Sequence, residues 1–535
     1  ERPDAAIREL GKLVLLAKAW RQTPDDVELK RLVSTSESRE QVLANPDAIQ
    51  VESLWEVLGE KIETRRDGLV SHSTWLLDLK SAAPQFALLL DFFPASAGRR
   101  SNAFTPGDRF DARLVFYPAN VLAPKADAPD AVYPLSDGTG GGTVTLNTGA
   151  DVLTRTFTLP TNIERAYLDV FAQGQGGDEF WYSCVPNEVA DEAQSCGGGS
   201  YREVQVSIDG QPAGVAPVYP WIFTGGIDPY MWRPTPGVQT LNFLPYRVDI
   251  TPFAALLNDG QPHALSIGVT GANGYFSATG NLFVYLDRGR KVLSGAVTAN
   301  TLKDQPAIAT VDNTLTAVSG VVGGAVATHA SRSFRTSGYV DTSHGRIVTD
   351  VTQTVAFRNT QTFAIDATRY EQAIDQLSTV DSTTKTRQGR LGLAVTTEAH
   401  YDFPLVASFK YAFDDAGNIV SAPSAVTQGF SRQFSKKLGS LLLYRSDVDD
   451  SIDTADTLAF SGGAVTGHSG QRSTQVFRFK DNLGSCYGRD VSTNAGVLTA
   501  ATDGGGCPGA RNPLLWFTHP DGSPDTSRTE DPGIF

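Results

Sequence analysis

Hydrophobic positions near the start of the chain recur every three to four residues. Ile7, Leu10, Leu13, Val14 and Ala17 follow this spacing, with Arg8, Glu9, Lys12 and Lys18 between them, and Leu54, Val57, Leu58 and Ile62 repeat it. The pattern predicts a helical leader over residues 1–65, built of two or three helices. From Trp75 onward the period falls to two. Residues 87–93 form an apolar run that contains Asp91, and residues 110–117 alternate until Pro118. Residues 166–172 predict another strand. Val204, Val206 and Ile208 alternate with polar residues and meet Asp209-Gly210, a hairpin signal. Segments 248–251, 265–269 and 282–286 continue at strand spacing, with no helix-length pattern between them. Further on, residues 338–351 alternate through a turn at Ser343-His344-Gly345, and Gln475, Phe477 and Phe479 close another strand-like stretch.

The predicted fold is mainly β, with antiparallel jelly-roll or β-sandwich domains, an N-terminal helical segment and an additional C-terminal β domain. The expected divisions are a leader at 1–65, a first jelly-roll-like domain at 66–135, a second at 136–290, and a C-terminal β domain at 291–535. Composition agrees with this pattern. Of 535 residues, 41% are hydrophobic and only 19% charged, while 51 glycines and 29 prolines supply turns. The net charge of −14 repels phosphate backbones and anionic lipid heads, so nucleic acid and membrane surfaces are not expected partners. No apolar run reaches eighteen residues.

Four cysteines form two local pairs around polar, glycine-rich loops, Cys184 with Cys196 and Cys486 with Cys507. Two disulfides and an oxidising compartment are expected, secreted or periplasmic. Four free buried thiols are the alternative. No metal or cofactor is expected, because there is no CxxC pair and the histidines are scattered. Gly138, Gly140, Gly141 and Gly142 lack the Gly-Lys-Ser/Thr of a phosphate loop. Gly467-His468-Ser469-Gly470 fails the nucleophile-elbow pattern at Gln471. Asp447, Asp449, Asp450, Asp453 and Asp456 look like a calcium cluster but lack the EF-hand positions, and read as a solvated acidic turn. His72, His263 and His519 have no partner that spacing can justify.

The chemistry concentrates between residues 160 and 234. Asp178-Glu179-Phe180-Trp181-Tyr182 sets two carboxyls beside flat rings at a strand end. Carboxyls move protons or activate water, and Trp181 and Tyr182 offer faces to sugar C–H groups. The bland alternative is a solvated Asp-Glu turn above core aromatics. Arg202-Glu203 opens the next strand, where only one of the two can line a given face. Trp221, Asp228, Tyr230, Trp232 and Arg233 then form a loop suited either to a sugar cleft or to an ordinary packed corner.

Residues 160–166 (Pro-Thr-Asn-Ile-Glu-Arg-Ala), Asp178 to Ser183, Arg202-Glu-Val204, Ile208-Asp-Gly210, Phe223-Thr-Gly-Gly-Ile227, Trp232-Arg-Pro234 and Asp249-Ile-Thr-Pro252 resemble, in order and spacing, the core of the peptide:N-glycanase A family. Arg332-Ser-Phe334, Gly338, Thr342 to Gly345 and Thr349-Asp-Val351 resemble its C-terminal part more loosely. The resemblance covers about residues 75–360. It implies an acid-active, metal-free amidase that hydrolyses the bond between the innermost N-acetylglucosamine and asparagine of a glycopeptide or glycoprotein, leaving aspartate. It also implies that Glu179 is the closest match to a catalytic acid; the reaction itself needs a base, an acid and an oxyanion donor, for which the candidates are Glu179 and Asp178, with Glu203 supporting and Arg202 or Arg233 as donor. Trp181, Tyr182, Trp221, Asp228, Tyr230 and Trp232 would bind substrate. The family's first-domain Gly-Arg-Gln-Phe-Asp-Arg segment has no counterpart in residues 1–65; its nearest echo, residues 107–113, makes Asp111 the candidate, with Asp91 another. A glycan-binding protein without catalysis, or a glycoside hydrolase with paired carboxylates, would share much of this pattern.

Overall fold

In the computed structural model, the described residues are 50–64, 69–80, 86–94, 105, 107–115, 129–136, 142–222, 225–240, 243–303, 309–389, 394–482 and 484–512. The chain divides into two compact units, Glu1–Asp127 and Ala128–His519. The helical pattern at residues 7–17 lies outside the described residues, as does His519.

The first unit carries a four-stranded antiparallel sheet, order β3-β2-β1-β4, from β1 (Gln50–Thr64), β2 (Leu69–Asp78), β3 (Phe86–Pro94) and β4 (Arg109–Val115). Leu54, Val57, Leu58 and Ile62, expected on a helix, therefore lie in a strand. The error has a physical source. Positions 54, 58 and 62 are four apart, a spacing that shares a face in a helix and in a strand alike. The deciding residue is Trp55. With Val57 it is buried, while Leu58 is 45% exposed, which is alternation of period two.

The second unit opens with a β-sandwich. Its strands are β5 (Ala131–Pro134), β6 (Val144–Thr148), β7 (Val152–Thr158), β8 (Ile163–Gln175), β9 (Glu203–Ile208), β10 (Gln211–Pro217), β11 (Tyr246–Asp249), β12 (Pro262–Thr270) and β13 (Asn273–Leu286). One sheet runs β10-β9-β12-β7, the other β11-β8-β13-β5 with β6 also on β13. Ile208, Val206 and Ile267 of one sheet and Leu168, Phe276 and Leu282 of the other fill a common core. The β9–β10 hairpin turns at Asp209-Gly210, both with positive φ (51° and 76°), the geometry that Asp-Gly accommodates.

The rest of this unit is a single twelve-stranded antiparallel sheet. It comprises β14 (Ser294–Asn300), β15 (Thr310–Asn313), β16 (Thr316–Val318), β17 (Val321–Thr342), β18 (Gly345–Asp366), β19 (Arg369–Gln388), β20 (Val395–Phe413), β21 (Ile419–Leu438), β22 (Leu441–Ser461), β23 (Ala464–Asp481), β24 (Cys486–Asn494) and β25 (Val497–Asp503). Strands β17 to β23 succeed one another as hairpins; a strand of 22 residues, such as β18, spans about 70 Å.

Alternate residues of these strands face the sandwich, and many are amides. Gln353 donates to the carbonyl of Val215 (3.1 Å), Asn359 to Tyr182 (2.9 Å), Gln361 to Cys184 (3.0 Å), Gln372 to Ser183 (2.9 Å), Gln428 to Pro220 (2.6 Å) and Gln471 to Arg233 (3.3 Å). Loop carbonyls buried between two sheets would otherwise lack donors, at about 1–3 kcal/mol each. This row of amides satisfies them and sets where each loop of the sandwich lies on the large sheet.

Candidate functional site

The segment after β8 is tightly locked. A 3-10 turn (Gly176–Asp178) folds back on the strand, and a Cβ at Gly174 would lie 2.2 Å from the Asp178 carbonyl. The Asp178 carboxylate accepts from Arg202 Nη2 (2.8 Å) and from the Asn273 N–H (2.7 Å), and neither side chain of the ion pair is exposed. Burial pulls the Arg202 guanidinium below its ordinary value, and Asp178 opposes that shift. This is an internal pair that fixes the turn to β13, with no carboxylate face open to a substrate.

Trp181 and Tyr182, expected to stack a sugar, are each 1% exposed and belong to the core, so neither ring offers a face. Glu179 is half-buried beside Tyr182, and lines neither hollow described below. Cys184–Cys196 and Cys486–Cys507 are both disulfides, as expected.

Glu203 is also internal, at 1% exposure. It accepts from Arg332 Nη1 (2.6 Å) and Tyr201 Oη (3.0 Å), tying β9 to β17. Burial raises its pKa despite Arg332 and the Tyr201 hydroxyl. Arg332 and Lys303 edge a hollow across Gln205, Ser207, Ser266 and Thr270 on the outward face of β9 and β12.

A second hollow, a shallow one, has a different character. Phe171 of β8, Tyr219 and Trp221 after β10, Tyr246 of β11, Tyr401 and Phe403 of β20 and Phe430 of β21 line it, with Gln239 and Arg432 as polar members. Phe243, 46% exposed, packs against Trp221 (5.1 Å between centroids) and Phe171 (5.4 Å). Trp221 is held by its indole N–H on the Ala172 carbonyl (3.2 Å) and by the Tyr219 ring at 4.6 Å. Of the expected sugar-binding residues, Trp221 alone lines this hollow.

The acid run 447–456 is a strand, not a turn. Period two sends Asp449 and Asp453 outward and buries Asp450 and Asp456 on the face that meets the sandwich. A group shared between opposite faces cannot close on one ion. Among the described residues no group of three or more His, Cys, Asp or Glu is placed to hold a metal. Asp450 is paired in register with Phe430, so its side chain shares the face that lines the aromatic hollow. Gln475 donates to it (3.2 Å), and burial pushes its pKa up to about 6. Burial, and after it the Asp450 charge, raises the pKa of Tyr219 at the hollow wall.

Asp228, Tyr230, Trp232 and Arg233 come together elsewhere, over β22 and β23. Asp228 has no exposure; Tyr230 stacks on His468 (3.7 Å), with Arg233 over Tyr230 at 5.7 Å. Trp232 is a core ring donating to the Gly226 carbonyl (2.8 Å). In the first unit Asp111 is exposed on β4 and ion-paired with Lys80; the side chain of Asp91 lies outside the described residues. His263 bridges Asp209 (2.7 Å) and Asp259 (2.9 Å) at the hairpin.

Nothing local in the sequence marks Tyr219, Phe243, Tyr246 or Phe430, and Asp450, expected in a solvated turn, is buried. The usable signal was an aromatic every second residue at Tyr401-Asp-Phe403, which places two rings on one strand face.

Together these features define an antiparallel β-sandwich protein braced on a broad sheet, with an aromatic-walled hollow where the two meet. The chain belongs to the peptide N-acetyl-beta-D-glucosaminyl asparaginase amidase A family, whose model matches residues 108–303 and whose C-terminal domain model matches residues 325–405. The peptide-N4-(N-acetyl-beta-glucosaminyl)asparagine amidase A of Prunus dulcis is 27% identical over 347 residues, 64% of this chain and 58% of that protein. The chain thus spans somewhat over half of that relative's length. No solved structure matches the chain.

Proposed function

We propose that the chain is an amidase that hydrolyses the amide joining the innermost N-acetylglucosamine of an N-glycan to asparagine, and that the aromatic hollow holds the sugar. The carrying observation is the composition of that hollow. Its walls draw on both segments matched to the family, Phe171, Tyr219, Trp221 and Tyr246 from one and Tyr401 and Phe403 from the other, with the Asp450 carboxyl on the adjoining face. Flat rings bind sugar through C–H faces, here those of the half-buried Phe171, Tyr246 and Tyr401 and the exposed Phe243 over a floor of buried rings, and leave hydroxyls to polar groups such as Gln239.

Hydrolysis needs water to attack the asparagine carbonyl, charge to stabilise the oxyanion, and a proton for the departing glycosylamine nitrogen. Asp450 keeps its proton up to about pH 6 and is proposed as the acid. Arg432 supplies positive charge in the hollow. Glu179 is proposed for water activation on its motif alone. The C–N bond breaks, aspartate remains on the peptide, and the released glycosylamine loses ammonia. The two disulfides fit an oxidising compartment, secreted or periplasmic.

The test is release of intact glycan from an N-glycopeptide at acid pH by the wild type, Asp450→Asn and Glu179→Gln. Loss of release in a variant that still folds supports that residue's role. Full release by both variants would remove both carboxyls from the chemistry. Binding of the glycopeptide without release would favour a lectin.

A further inference from the structure

The chain that brings Trp221 to the hollow continues through residues 225–233 onto the face of β22 and β23. Three contacts hold it there: Thr454 donates to the Met231 carbonyl (2.9 Å), Gln471 to that of Arg233 (3.3 Å), and Tyr230 stacks on His468 with planes 10° apart. Beneath them lie two carboxyls with no solvent exposure, Asp228 of the loop and Asp456 of β22. Asp228 Oδ1 accepts the Tyr230 N–H (2.8 Å), but its Oδ2 has no donor, and neither oxygen of Asp456 accepts a hydrogen bond. His468 Nδ1 stands 3.0 Å from Asp456 Oδ2, an ion-pair separation without hydrogen-bond alignment.

Asp228 and Asp456 lie close enough for each charge to act on the other, with three of their four oxygens unpaired. Two buried carboxylates facing each other would repel with three oxygens unserved. One proton converts the same geometry into a donor and an acceptor. We propose that Asp228 and Asp456 share a single proton, and that this proton fastens residues 225–233 to the large sheet and so positions the Trp221 wall of the hollow. The two residues are positioning residues, remote from the lining of the hollow.

The titratable and charged groups facing the pair are His468 from β23 and, from the loop itself, Tyr230 and Arg233. On β21 the residue opposite Asp456 is Ser424, and the nearby Arg472 pairs instead with the outward Asp453. Burial raises the Asp228 pKa, as does Asp456, against the Tyr230 N–H and the His468 charge. A raised carboxyl pKa means that the fastening is complete in acid and is lost as pH climbs through the raised value.

The link to the hollow rests on the proposed function; the fastening itself does not, so it is tested without substrate. Hydrogen exchange of peptides covering 225–238 is followed from acid to neutral pH in the full chain, corrected for intrinsic rates, with β8 and β12 peptides as internal reference. In the wild type, protection of the loop falls by up to about tenfold per pH unit above the midpoint, the slope of one proton, while the reference peptides stay protected. Asp228→Asn, and independently Asp456→Asn, carry a neutral amide in place of the shared proton and abolish this slope. A pH-independent loop in the wild type, or an unchanged slope in both variants, overturns the proposal. Were the amidase reading to fail, the exchange result would stand. A flat exchange profile in an enzyme that still releases glycan would refute the fastening alone.

Discussion

Replacing Asp178 by asparagine separates an internal ion pair from a catalytic carboxyl. The Arg202 guanidinium has no exposure and keeps only the Gly199 carbonyl (2.9 Å) and Tyr201 carbonyl (3.0 Å) once the charge at Asp178 is gone. Leaving one member of a buried pair without its counter-charge costs about 3–5 kcal/mol. With an unfolding entropy of about 2.1 cal/mol/K per residue, a unit of nearly four hundred residues loses about 0.8 kcal/mol for each kelvin, so the melting temperature falls by about 4–6 °C. Differential scanning calorimetry at constant pH reads this directly. The double variant Asp178→Asn with Arg202→Met removes both charges and recovers much of the loss. An Asp178→Asn protein with wild-type melting temperature and no glycan release would refute the structural reading and return Asp178 to the chemistry.

Asp450→Asn lowers kcat by about 10²–10⁴ if the carboxyl is the acid of the reaction, and removes the decline of wild-type kcat that sets in as pH passes about 6. The raised pKa also has a stability sign: the contribution is complete below the ordinary carboxyl value of about 3.9 and is lost as pH rises through about 6, so wild-type thermal stability declines over that interval more than that of the variant. Phe243→Ala, at an exposed ring against Trp221 and Phe171, raises KM about three- to tenfold while the melting temperature stays near that of the wild type. Opening Cys184–Cys196 with paired serines, across a separation of 12 residues, destabilises by about 3 kcal/mol, read from the denaturant midpoint.

The features legible in the sequence were local ones. The Asp209-Gly210 hairpin, the turn at 343–344 and both cysteine pairs follow from residues close in the chain, where backbone geometry decides. The hollow was not legible, because its rings come from positions as distant as Phe171 and Phe430, brought together only by the register of strands across two sheets. The same distance hid the amides of β18 and β19, which are ordinary strand residues until loop carbonyls arrive above them.

Two signals pointed the wrong way for definite reasons. In Asp178 to Tyr182, the residue types that suit a sugar site also suit a buried plug: Trp181 and Tyr182 fill the core and Asp178 neutralises Arg202. In 447–456, acidic content suggested solvent, whereas alternation hides Asp450 and Asp456 between sheets. Period two was visible there and outweighed composition.

Mass analysis of a single homogeneous N-glycopeptide after incubation in acid separates amide hydrolysis at asparagine from cleavage between sugars. Amide hydrolysis yields a peptide with aspartate at the former glycosylation site and a free glycan that retains both core N-acetylglucosamines. A peptide still bearing one N-acetylglucosamine on asparagine, or a substrate recovered unchanged, would contradict it.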